Sequence, residues 1–191
     1  MTPPVLPTKF SREVGHARAG VIWAGTADGK AQVTRDAGAH WSDATARVAA
    51  AGGPEDAWVS RVFASRFEPG TAYVTKSRRR QDDFRPFVLR TTDFGATWTR
   101  IVSGLPEVPE ALSIVEDTVN PNLVFLGTSA GVFASFDRCA NWVSFRSNVG
   151  PAPVTDLLVH PREGDLVAGT YGRGAKSGGP SVHMSCRRRA V

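Results

Sequence analysis

Apolar residues along this chain come in short runs of about four to seven, rich in Val, Phe, Ile and Thr, broken every 8 to 12 residues or so by Gly, Pro, Asp or Asn, the rhythm of an all-β repeat. No helical period is seen anywhere. The runs "VIWAGTADGKAQV", "LVFLGTSAGVFAS" and "LVAGTYGRG" each pair an apolar stretch ending in Gly-Thr with a tight turn. Between them lie "VSRVFASRFEPGTAYV", "LSIVEDTVNPNLVFL" and "VTDLLVHPREGDLVAG", each a strand, a Gly- or Pro-containing turn and a second strand. With the strands lettered a to d, the pattern predicts partial or full four-stranded units over about 21–46 (b, c, d), 58–102, 111–147 and 154–171 (a, b). An irregular N-terminal segment over 1–20 and a basic, disordered tail over 175–191 flank them.

A second repeat lies inside the first. "TRDAGAHW" (34–41), "TTDFGATW" (91–98) and "SFDRCANW" (135–142) place Asp36, Asp93 and Asp137 at separations of 57 and 44 residues, near the roughly 40 to 50 residues of a four-stranded propeller blade. The longer gap holds two insertions, "AAAGGPED" and "SRRRQDDF". At the turn between strands c and d, each Asp is placed to accept hydrogen bonds from turn N–H groups that no strand reaches. Gly38 and Gly95 supply a residue free to take positive φ, and Trp41, Trp98 and Trp142 a ring to bury. The third copy has Cys139 at the glycine position, which costs roughly 1 kcal/mol if that residue is left-handed; a different turn is the alternative. Recurrence once per unit suits a structural role better than catalysis, since an active site is assembled once.

Charge and composition change the picture little. Four of the basic residues behind the net charge of +5, Lys176 and Arg187 to Arg189, fall after Gly174, where there is no acid, leaving +1 for residues 1–174. The only basic cluster in the repeats is "KSRRR" (76–80), a solvated loop by its pattern, so nucleic acid is an unfavoured partner. Two cysteines and four scattered histidines make neither a disulfide framework nor a metal site, and no cofactor motif occurs. No run reaches the roughly 20 apolar residues of a membrane span, and "MTPPVLPTKF" lacks the apolar stretch of a secretory signal.

The three strings match Ser/Thr-X-Asp-X-Gly-X-X-Trp, the Asp-box or bacterial neuraminidase repeat, with the third departing at Cys139. With "WVSRVFASRFEPGTAYVT", "NPNLVFLGTSAGVFASFD" and "HPREGDLVAGTYGRG", the stretch from Val21 to Gly174 resembles the Asp-box β-propellers of the sortilin-like and xyloglucanase-like group, often labelled glycosyl hydrolases. The resemblance implies an all-β partial propeller of about three four-stranded antiparallel blades, with relatives often secreted or extracytoplasmic. It is specific for fold and weak for activity. In such relatives an apolar strand continues the "GTYGRG" phrase; here "AKSGGPSVHMSCRRRAV" follows, which suggests a changed reading frame near Gly174 or a natural disordered tail.

About three blades fall short of the roughly 4 to 8 that close a propeller, so the chain is expected to be a fragment of a larger propeller or to self-associate through open blade edges. Meander parity places the a–b turns and Asp turns on one side, and the long loops (47–58, 76–85, 104–110, 148–153 and 172–174) on the other, where a protein or glycan ligand is expected. Candidate binding residues are Trp58, Arg61, Arg78, Asp82, Asp83, Phe84, Arg85, Tyr171 and Arg173. Catalytic residues are not expected. "FRP" (84–86) lacks the Ile of the sialidase Phe/Tyr-Arg-Ile-Pro phrase, and adjacent Asp82 and Asp83 would point to opposite faces of a strand rather than flank a cleft roughly 5 to 9.5 Å wide. A glycoside hydrolase remnant is the alternative.

Overall fold

The computed structural model describes residues 10–14, 17–145, 151–162, 164–171 and 181–184, the strands at 10–14 and 181–184 by backbone only. Four antiparallel sheets follow one another, each a meander in which neighbours in sequence are neighbours in the sheet. The first contains β1 (Phe10–Val14), β2 (Ile22–Thr26), β3 (Ala31–Thr34) and β4 (Ser42–Asp43). The second contains β5 (Trp58–Ala64), β6 (Ala72–Arg78), β7 (Asp83–Thr91) and β8 (Thr99–Arg100). The third contains β9 (Ala111–Glu116), β10 (Val124–Thr128), β11 (Gly131–Ser135) and β12 (Val143–Ser144). The fourth contains β13 (Val154–Val159), β14 (Leu166–Thr170) and β15 (Ser181–Met184).

Three elements differ from the sequence reading. The segment expected to be irregular supplies β1, paired with β2 from Phe10↔Thr26 to Val14↔Ile22, so the first sheet is four-stranded rather than b, c, d alone. In the stretch read as a disordered tail, β15 pairs with β14 from Leu166↔Met184 to Gly169↔Ser181. Neither FSREV nor SVHM holds an apolar run like those of the other strands, and their strand character comes from a partner edge, which a local pattern does not reveal. A helix, α1 (Thr45–Ala50), leads out of β4 with Val48 buried; six residues are too few for a 3.6-residue period to show.

The sheets stack as the blades of a partial propeller, first on second, second on third, third on fourth, with strands β1, β5, β9 and β13 meeting between successive sheets. Apolar residues fill the spaces between sheets. Trp23, Val48, Val62, Val74, Leu89 and Trp98 belong to a core joining the first two, and Phe63, Tyr73, Ile114, Phe125, Trp142 and Leu157 to one running across the last three. Glycine in strand b lets the next sheet come close. A Cβ on Gly25 would lie 2.3 Å from Val59 Cγ1, and one on Gly127 would lie 2.3 Å from Ser113 Oγ and 2.8 Å from the carbonyl oxygen of Val154, distances that no real side chain occupies.

Candidate binding face

The Asp turns build one face of the stack. In each copy a hydroxyl and a carboxylate divide the same work. Thr34, Thr91 and Ser135 donate to Asp36, Asp93 and Asp137 at 2.7, 2.8 and 2.7 Å, and their oxygens accept from the backbone N–H of Gly38, Gly95 and Cys139 at 3.0, 2.9 and 2.8 Å. Each Asp Oδ1 then accepts from the N–H four residues on, of His40, Thr97 and Asn141, at 2.8 to 2.9 Å. These bonds favour the ionised carboxylates and hold all three below the usual range: chiefly the His40 N–H for Asp36, the Thr97 hydroxyl for Asp93 and the Asn141 N–H for Asp137. The turn is also tied to its neighbour, since Ala37, Phe94 and Arg138 donate to the carbonyls of Gly20, Gly70 and Asn122.

The damaged third copy keeps the geometry of the others. Cys139 has φ +68°, beside +101° at Gly38 and +82° at Gly95, and the preceding Arg138, Ala37 and Phe94 lie at +57° to +60°. The left-handed alternative is the one present. Burial pushes the Cys139 thiol up to about 12, which leaves it unreactive at neutral pH.

The opposite face carries α1, the 3-10 turn Arg79–Gln81 and the longer connections. Around the end of the second sheet a charged chain runs Asp56–Arg78–Asp83–Arg85. Arg78 donates to Asp56 at 2.8 Å and to Asp83 at 3.5 Å, and Arg85 grips Asp83 through Nε at 2.9 Å and a terminal nitrogen at 2.8 Å. Arg85, above all, holds the Asp83 carboxyl down at about 2. Alongside, the Arg80 guanidinium lies over the Trp58 ring, 4.9 Å from its centroid. A small recess lined by Ala27, Asp56, Trp58, Ser77, Arg80 and Gln81 opens there, and the Trp58 indole N–H is buried without a partner.

Five of the predicted binding residues are gathered here or beside it: Trp58, Arg78, Asp83, Phe84 and Arg85. Phe84 is exposed next to the ion pairs. Asp82 caps the 3-10 turn in a left-handed conformation, φ +54°, so the expected alternation of Asp82 and Asp83 along one strand does not apply; only Asp83 enters β7. Arg61 stands apart, in the middle of β5, where it pairs with Asp156 of β13. Tyr171 is exposed just past the end of β14, and Arg173 lies outside the described residues.

Asp56, Arg80 and Gln81 join the cluster without having been singled out. Their only signal was membership of the two insertions. The "KSRRR" run is not the solvated loop expected, because Lys76 is buried in β6 with its ammonium donating to the Pro54 carbonyl, Arg78 is ion-paired and Arg80 covers Trp58. Burial pulls Lys76 down to about 8, against the opposing effect of Asp56 and Glu55. Glu110, buried beside Ser77 with 3.3 Å between oxygens, is pushed up by burial. Both are sealed beneath the face rather than presented on it. Among the described residues no three of His, Cys, Asp and Glu converge as a metal site, and no helix is long and apolar enough to cross a membrane.

No family profile matches the chain, and no curated protein sequence does. Solved structures do. The GH74 xyloglucanase from Xanthomonas campestris superposes with a TM-score of 0.65 at 13% identity, over 92% of this chain and 29% of that one. YCF48 from Cyanidioschyzon merolae gives 0.63 at 17% over 98% and 59%, and YCF48 bound to D1 peptide 0.61 at 19% over 89% and 52%. The likeness is one of fold. This chain is an all-β partial propeller, and it spans less than two thirds of each of these proteins.

Proposed function

We propose that this chain is a non-catalytic propeller segment of the Asp-box, sortilin-like and xyloglucanase-like kind, and that it binds a protein segment through the face around Trp58 and Arg80. The observation that carries the reading is the Asp56–Arg78–Asp83–Arg85 chain beside the Trp58–Arg80 stack. Its central carboxylate is clamped by two arginines and held ionised, so it has no proton to give and a weak basicity, whereas a glycosidase acid needs a raised pKa. What remains is a rigid surface of arginines and aromatic rings, the residue types that dominate protein interfaces. YCF48, of similar fold, has been solved with a peptide bound. The repeated turn geometry supports the Asp-box assignment.

A peptide array and a glycan array probed with the full chain test this. Peptide binding that falls at least about tenfold in Trp58→Ala and Arg80→Ala, with the fold intact, is the expected result. Glycan binding with the same dependence would move the ligand to carbohydrate. The second reading, a glycoside hydrolase remnant, is favoured by the likeness to GH74 enzymes; release of reducing sugar from xyloglucan, lost in Asp83→Asn, would establish it in place of the first.

A further inference from the structure

Each sheet turns a trailing face toward the sheet that follows, and the three junctions so formed can be compared position by position. On that face strand b pairs with strand c through Trp23↔Val33 in the first sheet, Tyr73↔Arg90 in the second and Phe125↔Ala134 in the third. The end of strand a in the following sheet is Ala64, Glu116 or Val159, counterparts through their pairing with Ala72, Val124 and Leu166. Trp23, Val33 and Ala64 share one apolar core, and Phe125, Ala134 and Val159 the other, none more than 3% exposed. The middle junction holds Tyr73, Arg90 and Glu116 instead. Placing ions where both neighbouring junctions bury hydrocarbon is costly, and such local departures from core chemistry mark functional sites.

Part of the exchange ties the second sheet to the third. Buried Glu116 accepts from the Tyr73 and Ser65 hydroxyls and from the Arg66 N–H. Arg90 takes no part in that knot. Half-buried, it donates to the carbonyl oxygen of Arg138 and forms no ion pair among the described residues, with Glu116 or any other acid. Most of its N–H donors are unspent. A recess of about 140 Å³ opens here on the Asp-turn face, walled by Arg90, Arg138, Glu68 and Glu116, with Phe67 and Pro121 adding apolar surface. Its volume is close to the roughly 150 Å³ that admits benzene in an engineered cavity.

The other charges of the recess are already matched. Arg138 donates to Glu68 and to the Asn122 side-chain oxygen at 2.9 Å each, and Glu68 also accepts from the Thr71 hydroxyl at 3.0 Å. What is left over is the Arg90 fork. We propose that the recess binds a small monocarboxylate, its oxygens taken by the Arg90 guanidinium and its short body lying against Phe67 and Pro121. A planar, singly charged group suits a guanidinium in two-point contact, whereas a doubly charged phosphate would share the same small space with Glu68 and Glu116. A knot that only joined two sheets would need Glu116 and its three donors, but neither the open recess nor an unspent arginine. The site lies on the face opposite Trp58 and Arg80 and is independent of the protein-binding surface proposed there.

Amide NMR of the full chain, titrated with sodium propionate against sodium chloride at equal ionic strength and separately with inorganic phosphate, tests the site. Propionate is expected to give saturable shifts at the amides of Thr71, Thr92 and Arg138, with phosphate at least about tenfold weaker. Arg90→Gln should weaken propionate binding at least about tenfold. Arg90→Lys, which keeps a cation beside Glu116 and with it the fold, should weaken it several-fold through loss of the two-point contact, and Trp58→Ala should leave it unchanged. If Arg90→Gln unfolds, the Arg90→Lys comparison decides. No saturable shift at those amides in the wild-type chain, undiminished binding in either arginine variant, equal loss in Trp58→Ala, or phosphate binding as tightly as propionate overturns the inference.

Discussion

Lys76 occupies the strand position that Thr26, Thr128 and Thr170 hold in the other sheets, pairing with Val59 near the start of strand a as these pair with Phe10, Ala111 and Val154. A threonine there carries no charge, whereas Lys76 brings an ammonium into the space under Pro54. Its folded pKa of about 8 lies below the usual 10.5, so between these values the unfolded chain binds more protons and stability rises with pH. Below pH 8 the whole cost of burying the charge is present, and above about pH 10.5 it is gone. Lys76→Thr is therefore expected to raise the melting temperature at pH 7 by several degrees and to flatten the climb between pH 8 and 10. Thermal denaturation across that range checks both. Nothing in "KSRRR" announced this, because burial of a lysine depends on where the register of β6 turns its side chain.

At the scale of the element, the Asp turn was legible residue by residue, since the bonds made by its hydroxyl and carboxylate fall within eight positions. The inter-sheet contacts were not. Gly127 reads in sequence as part of a Gly-Thr strand ending, and only the stack shows it lying under Val154. Gly127→Ala is expected to cost about 1–3 kcal/mol, since the new Cβ meets the backbone of the next sheet. Gly169→Ala, chemically the same change, should be nearly neutral, since its Cβ would meet only Asp156 of its own sheet, at 3.4 Å and more. Urea denaturation of the two variants gives the comparison. A large loss at Gly169 would mean that its trailing face is already filled. Strands β1 and β15 were missed for the same reason, as their pairing partners are edges rather than patterns.

Across the whole molecule, stability passes between adjacent sheets, as in other repeat architectures. The second and third sheets are held on both faces, and they share a buried knot in which Glu116 accepts from the Tyr73 hydroxyl, the Ser65 hydroxyl and the Arg66 N–H at 2.9 to 3.0 Å. Native-state hydrogen exchange should show the slowest amides in β6 and β10 and faster exchange in β3 and β14, by at least about tenfold. Equal protection of all four sheets would contradict this ordering.

The sequence by itself determined the all-β class, the spacing of the repeat and the chemistry of the Asp turn. Those depend on near neighbours: alternation along a strand, a hydroxyl two residues before a carboxylate, a ring five residues after it. Tertiary structure decided which charges are buried, how Asp83 is clamped, and which faces of the first and last sheets stand open. These follow from contacts between residues tens of positions apart, whose register is set by packing one sheet on the next.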